Sequence, residues 1–214
     1  MARMGVREDF IAAAEVASRL LRAPSVAASW ERPSALADFS VAGLAGHLAF
    51  QVLAVPEILA APLPGEETVP VLEHYARVAW IDAALDDEIS VRIRSGGEHV
   101  AAGGPESLAG QVEAVLDELR GSLGGTANRP VRIAFWGPWS LTLDDLLLTR
   151  TMELVVHADD LAVSVGLATP EFGENVTDSV IDLLTRLSVR RHGPAAVVRA
   201  LSRAERAPAT ITAF

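Results

Sequence analysis

Residues 141–165 read LTLDDLLLTRTMELVVHADDLAVSV. Leu146, Leu147, Leu148, Met152, Leu154, Val155, Val156, Leu161, Val163 and Val165 point to nearly every side of a helix. A helix that is apolar around most of its circumference is a buried one. Thr142 supplies an N-cap, Asp145 gives an acidic version of a capping box, and Gly166 and Pro170 stop the run. Against this apolar ground, Arg150, Glu153, His157 and Asp160 recur at spacings of 3, 4 and 3, so they share one stripe. Unpartnered charge is too costly to bury, so the stripe faces water, a set of partners or a bound ion. Three readings stand side by side. The stripe is a solvated face with Arg150–Glu153 and His157–Asp160 pairs, or a buried ion-pair network. In the third, Glu153 and His157, one turn apart, reach the same cation.

A second anomaly lies upstream. Ser40 is a good N-cap for a helix running to about Ala60, bent or ended by Pro56. Its core, VAGLAGHLAFQVLAV, carries His47 among apolar residues, with Gln51 one turn later. A lone histidine there is more often a satisfied core residue than a ligand. With Glu153 and His157, however, it makes a set of two histidines and one carboxylate. Three protein ligands with an open fourth position are the usual arrangement of catalytic zinc, and bundles build metal sites from side chains that project inward from separate helices. Gln51 is a candidate fourth ligand that would close such a site and make it structural. Arg150 is a candidate for binding a carboxylate of a small molecule, or a partner for Glu153 or Asp160. His74, His99 and His192 are poorer candidates; His192 reads as a favourable charge at a helix C-terminus. Trp136 and Trp139 are candidates for a pocket mouth or for packing.

The rest of the chain is also helical in period. Residues 7–22 show the i, i+3, i+4, i+7 pattern, and 23–39 read as a loop. Pro62, Pro64, Gly65 and Pro70 form a linker. Residues 71–123 predict two helices broken at Gly103, Gly104 and Pro105, with a short strand over Ile89–Arg94 as a competitor. Val131–Trp139 reads as β-prone or irregular, and 175–191 and 195–205 as two further helices. The fold expected is mostly all-α, a helical bundle.

Composition removes chemistry by subtraction. The 214 residues contain no cysteine, so disulfides, thiolate metal sites and a protein thiol nucleophile are excluded. All 18 basic residues are arginine, which excludes a Walker A or Schiff-base lysine. No Gly-x-Ser-x-Gly elbow is present. A net charge of −10 argues against nucleic acid and anionic membranes as partners. The N-terminal residues lack a signal-peptide layout, and the apolar stretches are interrupted by polar residues, so a cytoplasmic location is expected. Any sulfur nucleophile would have to come from outside the chain.

GLAGHLAF, then WGPWSLTLDDLLLTRTMELVVHADDLAVSVG, then an Arg-His-Gly segment at 191–193, resemble the mycothiol-dependent maleylpyruvate isomerase family of the DinB-like superfamily. The resemblance implies a DinB-like four-helix bundle over 1–168 and a mainly helical C-terminal extension over 169–214. It implies His47, Glu153 and His157 as ligands of a divalent metal, usually zinc, with Asp160 in a supporting or packing role. It also implies mycothiol as co-substrate, an electrophilic small molecule as substrate, and isomerase or transferase activity. A non-catalytic metal-containing binding protein and a metal-assisted hydrolase are the alternatives. Neither the substrate nor the oligomeric state is legible.

Overall fold

The structure is a computed structural model that describes residues 5–214. Ten α-helices follow one another among the described residues: α1 (Val6–Leu21), α2 (Pro24–Ala28), α3 (Val41–Leu53), α4 (Val55–Ala60), α5 (Val71–Arg77), α6 (Glu88–Ala101), α7 (Pro105–Ser122), α8 (Leu143–Ser164), α9 (Glu174–His192) and α10 (Pro194–Ser202). Two-residue strands β1 (Pro130–Val131) and β2 (Leu141–Thr142) pair antiparallel just before α8. This is the mostly all-α architecture that the periodicity predicts, and it agrees with the DinB-like fold that the resemblance implies.

Helices α1, α3, α7 and α8 form the bundle. Each packs on two neighbours in a closed ring, α1 on α8, α8 on α3, α3 on α7 and α7 on α1. Phe10, Leu44, Leu48, Leu108, Leu147 and Leu154 fill its centre, each at most 1% exposed. Helix α6 lies along the outside of α3 at very close range. A Cβ on Gly97 would sit 2.3 Å from Gly43 O, and one on Gly46 would sit 2.0 Å from Gly97 O. Only glycine permits that approach, which brings α6 against the turn that carries His47. The seam is tied at its end by Ser40, whose Oγ accepts from Gly43 N (2.8 Å) and donates to Glu98 Oε1 (2.5 Å). On the other side α9 packs on α8 and α1, and Ser179 Oγ donates to Asp9 Oδ2 at 3.0 Å.

Both expected caps are present: Ser40 opens α3, and Thr142 Oγ1 accepts from Asp145 N at 3.1 Å to open α8. Pro56 ends α3 early, and the chain turns at Ala54 into α4. By length and composition alone, Val41–Ala60 is apolar enough to cross a membrane, contrary to the reading of interrupted apolar stretches. Two thirds of that window (67%) is buried inside the protein.

Three local expectations are corrected. Residues 71–123 form three helices, not two, because the chain turns between Val78 and Asp87, where Asp82 takes a positive φ of 63° and Asp87 Oδ2 accepts from Ala84 N. Ile89–Arg94 is helical, since the alternation there lies in a segment whose Gly97 docks on α3. The loop 23–39 contains α2, started by Pro24 at its first turn. His192 ends α9 as expected, and its Nε2 also lies 2.8 Å from Thr212 O, holding the terminal segment down.

Candidate functional site

The candidate site is built across the α3–α8 seam. His47 sits mid-way along α3, and Glu153 and His157 one turn apart on α8. Their side chains are 19%, 13% and 17% exposed, and they meet at the wall of a cavity. Glu153 Oε2 lies 3.0 Å from His157 Nε2 and 3.8 Å from His47 Nε2. The two imidazoles stand edge to face with centroids 4.8 Å apart. One donor atom from each of the three residues falls within 4.8 Å of the others. Nitrogen and oxygen ligands about 2.1 Å from a tetrahedral ion lie about 3.4 Å apart. The observed 3.0 and 3.8 Å bracket that spacing, so this donor set fits a divalent cation in both chemistry and reach.

The electrostatics follow from the contacts. Burial pushes the Glu153 carboxyl up, but hydrogen bonds from His157 and His47, with the charges of His157 and Arg150, outweigh it and hold the group well below the ordinary carboxylate range. Burial lowers His47, and Glu153 offsets this only in part, so the ring is held neutral. Burial also works against charge on His157. Asp160 Oδ2 at 2.9 Å from Nδ1 and Glu153 at Nε2 win, and raise it to about 9. Without a cation, His157 is therefore an imidazolium between two carboxylates. Because Asp160 holds the Nδ1 proton, the nitrogen left to bind a cation is Nε2, the one that faces Glu153 and His47.

Arg150 and Gln51 are beside this cluster but tied to each other. Arg150 Nη1 donates to Gln51 Oε1, and Gln51 Nε2 donates to His47 O at 2.9 Å. The Gln51 oxygen is thus spent on the guanidinium, which leaves it a poor fourth ligand. Arg150 makes no ion pair with Glu153 or Asp160, contrary to that sequence alternative. The stripe is not a solvated face either, since Arg150 is only 6% exposed.

The cavity encloses about 220 Å³. Its walls are mainly apolar, with Phe39, Trp80, Trp136, Met152, Val156 and Phe214 around Glu153, His157 and Arg150. A second, more open lobe of about 300 Å³ continues from His47 over α6, along Arg92, Gly96, Gly97 and His99. Phe50, Ile93 and Phe135 line both lobes. Of the two tryptophans, Trp136 lines the cavity. Trp139 is buried, and its Nε1 donates to His74 Nδ1 at 3.1 Å. His74 is a core histidine whose burial drives it down to about 3, so it stays neutral. Phe214 gave no sequence signal. It reaches the site because the terminal segment folds back onto α5 and α9: its ring centroid lies 5.7 Å from that of Tyr75, and Ser188 Oγ donates to Ile211 O at 2.7 Å.

Residues 10–162 match the family model for the mycothiol maleylpyruvate isomerase N-terminal domain. That is most of the chain, and it contains all three residues of the cluster. No curated protein and no solved structure matches the chain. The chain belongs to the mycothiol maleylpyruvate isomerase N-terminal domain family.

Proposed function

We propose that this chain is a metal-dependent enzyme that brings an external low-molecular-weight thiol, mycothiol by family membership, to an electrophilic small molecule, with isomerisation or S-transfer as the outcome. His47, Glu153 and His157 would hold the divalent ion, and the two-nitrogen, one-oxygen donor set suits zinc. The observation that carries this reading is their convergence from two helices at ligand spacing on the wall of a cavity. A divalent ion there supplies positive charge that favours the deprotonated form of a thiol brought to it. With no cysteine in the chain, the sulfur has to come from solution.

The chain's own groups have separate tasks. Asp160 fixes the ring of His157 by holding Nδ1–H. Gln51 links the backbone at His47 to Arg150 and so couples the register of α3 to that of α8. Phe39, its ring centroid 6.1 Å from that of His47, keeps water from one side of the cluster. The open lobe is mainly apolar too, and Arg92 and His99 are the side chains in it that could hydrogen-bond a sugar-linked thiol. The Gln51 carboxamide is spent on other groups, which favours an open, reactive site over a closed structural one. We read 1–168 as the site-bearing bundle, of which 1–4 lie outside the described residues, and 169–214 as an extension whose Phe214 completes the cavity wall. A cytoplasmic location belongs to the same reading.

The test is direct. Protein purified without chelator should hold about one divalent ion per chain, and His157→Ala should lose most of it while keeping the helical spectrum. Mycothiol should bind the loaded protein more tightly than glutathione and not bind the stripped protein. Metal content unchanged in His157→Ala would reject the site. Metal without any thiol binding would leave a binding bundle instead of an enzyme.

A further inference from the structure

Arg150 is a buried cation that makes no ion pair among the described residues. Its Nε donates to Thr149 Oγ1 at 3.1 Å and its Nη1 to Gln51 Oε1, both neutral oxygens, and its Cζ lies 4.9 Å from the centroid of the Trp136 ring. Among the described residues no carboxylate comes within 4 Å of it; the nearest on its own stripe, Glu153, is turned toward His47 and His157. A guanidinium has five N–H donors in a rigid fork, so three are left over. Close by, the Tyr75 hydroxyl is buried with no hydrogen-bond partner, within electrostatic reach of both Arg150 and Glu153. Burying such groups is costly unless something completes them. Apart from Arg150, Gln51 and the His47, Glu153 and His157 cluster, the lining of this cavity is apolar, Trp80, Trp136, Met152, Val156 and Phe214 among it.

We propose that this cavity takes an apolar organic acid, with its carboxylate on the Arg150 guanidinium and its apolar body among the surrounding rings. The planar fork of arginine matches a carboxylate with two parallel hydrogen bonds, which a neutral amide cannot reproduce. The other end of such a ligand reaches the wall formed by Glu153 and His157. The inference deepens the proposed function and rests on that reading only for what happens at this far end. The acid is thereby assigned to the lobe that contains Arg150, which leaves the lobe along α6 for the thiol; the two share His47.

The probes are 4-phenylbutanoate and its neutral counterpart 4-phenylbutanamide, titrated calorimetrically into the full chain, both metal-loaded and stripped. The acid should bind at least tenfold more tightly than the amide in both forms. Arg150→Met should abolish that preference while leaving amide affinity within about threefold. Arg150→Lys, which keeps the charge and lowers the risk of misfolding, should retain part of it. In the unmodified protein, the Arg150 Nε–Hε resonance should shift with the acid and not with the amide, a readout that needs no variant to fold. Equal affinity for acid and amide, a preference that survives Arg150→Met, or an unmoved Arg150 resonance would overturn the inference. Metal content and mycothiol binding on the same samples separate the two claims. If both are present and the acid preference is missing, only this inference fails. If the preference is present and metal or thiol binding is missing, only the proposed function fails.

Discussion

Helix α8 carries two stripes, and they are held in place by different physics. Leu147, Leu154, Ala158 and Leu161 recur at spacings of 7, 4 and 3, and all are 0% exposed. Arg150, Glu153, His157 and Asp160 recur at 3, 4 and 3; the first three line the cavity, and Asp160 holds His157 from behind. The first stripe needs only to leave water, and any apolar side chain of about the right volume would serve. The second is held by specific partners: Asp160 on His157, His157 and His47 on Glu153, Gln51 on Arg150. A folding requirement explains the first stripe completely and the second not at all. Polar groups concentrated on a helix that is otherwise buried are therefore evidence for a ligand, and the comparison can be broken by making each stripe fail separately.

The largest effect is expected on the apolar stripe. Leu147→Ala should destabilise the fold by about 2–5 kcal/mol, because a fully buried leucine leaves a cavity that the bundle closes only in part. Chemical denaturation measures the loss, and the metal content of the folded fraction should not change. If Leu147→Ala instead released the metal with little change in stability, the two stripes would not be independent.

The next effect lies on the polar stripe and depends on pH. In the metal-free chain His157 is raised from 6.5 to about 9 by its two carboxylates. That raised value stabilises the metal-free fold below about pH 6.5 and stops doing so as the pH rises through about 9. A cation must displace this proton from Nε2, whereas Glu153, held well below its usual range, and His47, held neutral, have none to give up near pH 7. Apparent metal affinity should thus rise about tenfold per pH unit up to about pH 9, with about one proton released per ion. Titration in buffers of different ionisation enthalpy counts that proton. A pH-independent affinity would show that His157 is not a ligand. His74, more deeply buried, should contribute nothing to the slope, because its partner is the Trp139 indole and it is already neutral near pH 7.

How much of this was legible in the sequence depends on whether the signal was local. The period of α1, α3, α7 and α8 and the caps at Ser40 and Thr142 are local, and they identify the bundle. The polar stripe is local too, since 150, 153, 157 and 160 stand within three turns. Its pairing with His47, more than a hundred residues away, was inferred from donor chemistry and from the family resemblance, not from any spacing. The rest was hidden because it depends on tertiary contact. The commitment of Gln51 to Arg150, the wall supplied by Phe214 and the orphaned hydroxyl of Tyr75 exist only once α3, α5, α8 and the terminal segment are packed together. The division of 71–123 failed for a related reason: the turn at 78–87 has no glycine or proline to mark it, and Asp82 takes the positive φ instead.

The smallest effect expected comes from the start of α8 and sharpens the comparison. Thr142 Oγ1 caps the helix by accepting from Asp145 N, two turns before Arg150. Thr142→Ala should cost about 1 kcal/mol of stability in denaturant, the usual loss for a missing N-cap. If the polar stripe is positioned by its cross-seam partners, metal affinity in this variant should stay within about twofold of the parent. A larger loss would mean that the helix start sets the register of Glu153 and His157. The contacts argue otherwise, since β2 still pairs with β1 at Thr142↔Pro130 and the Gln51–Arg150 link is untouched by the change.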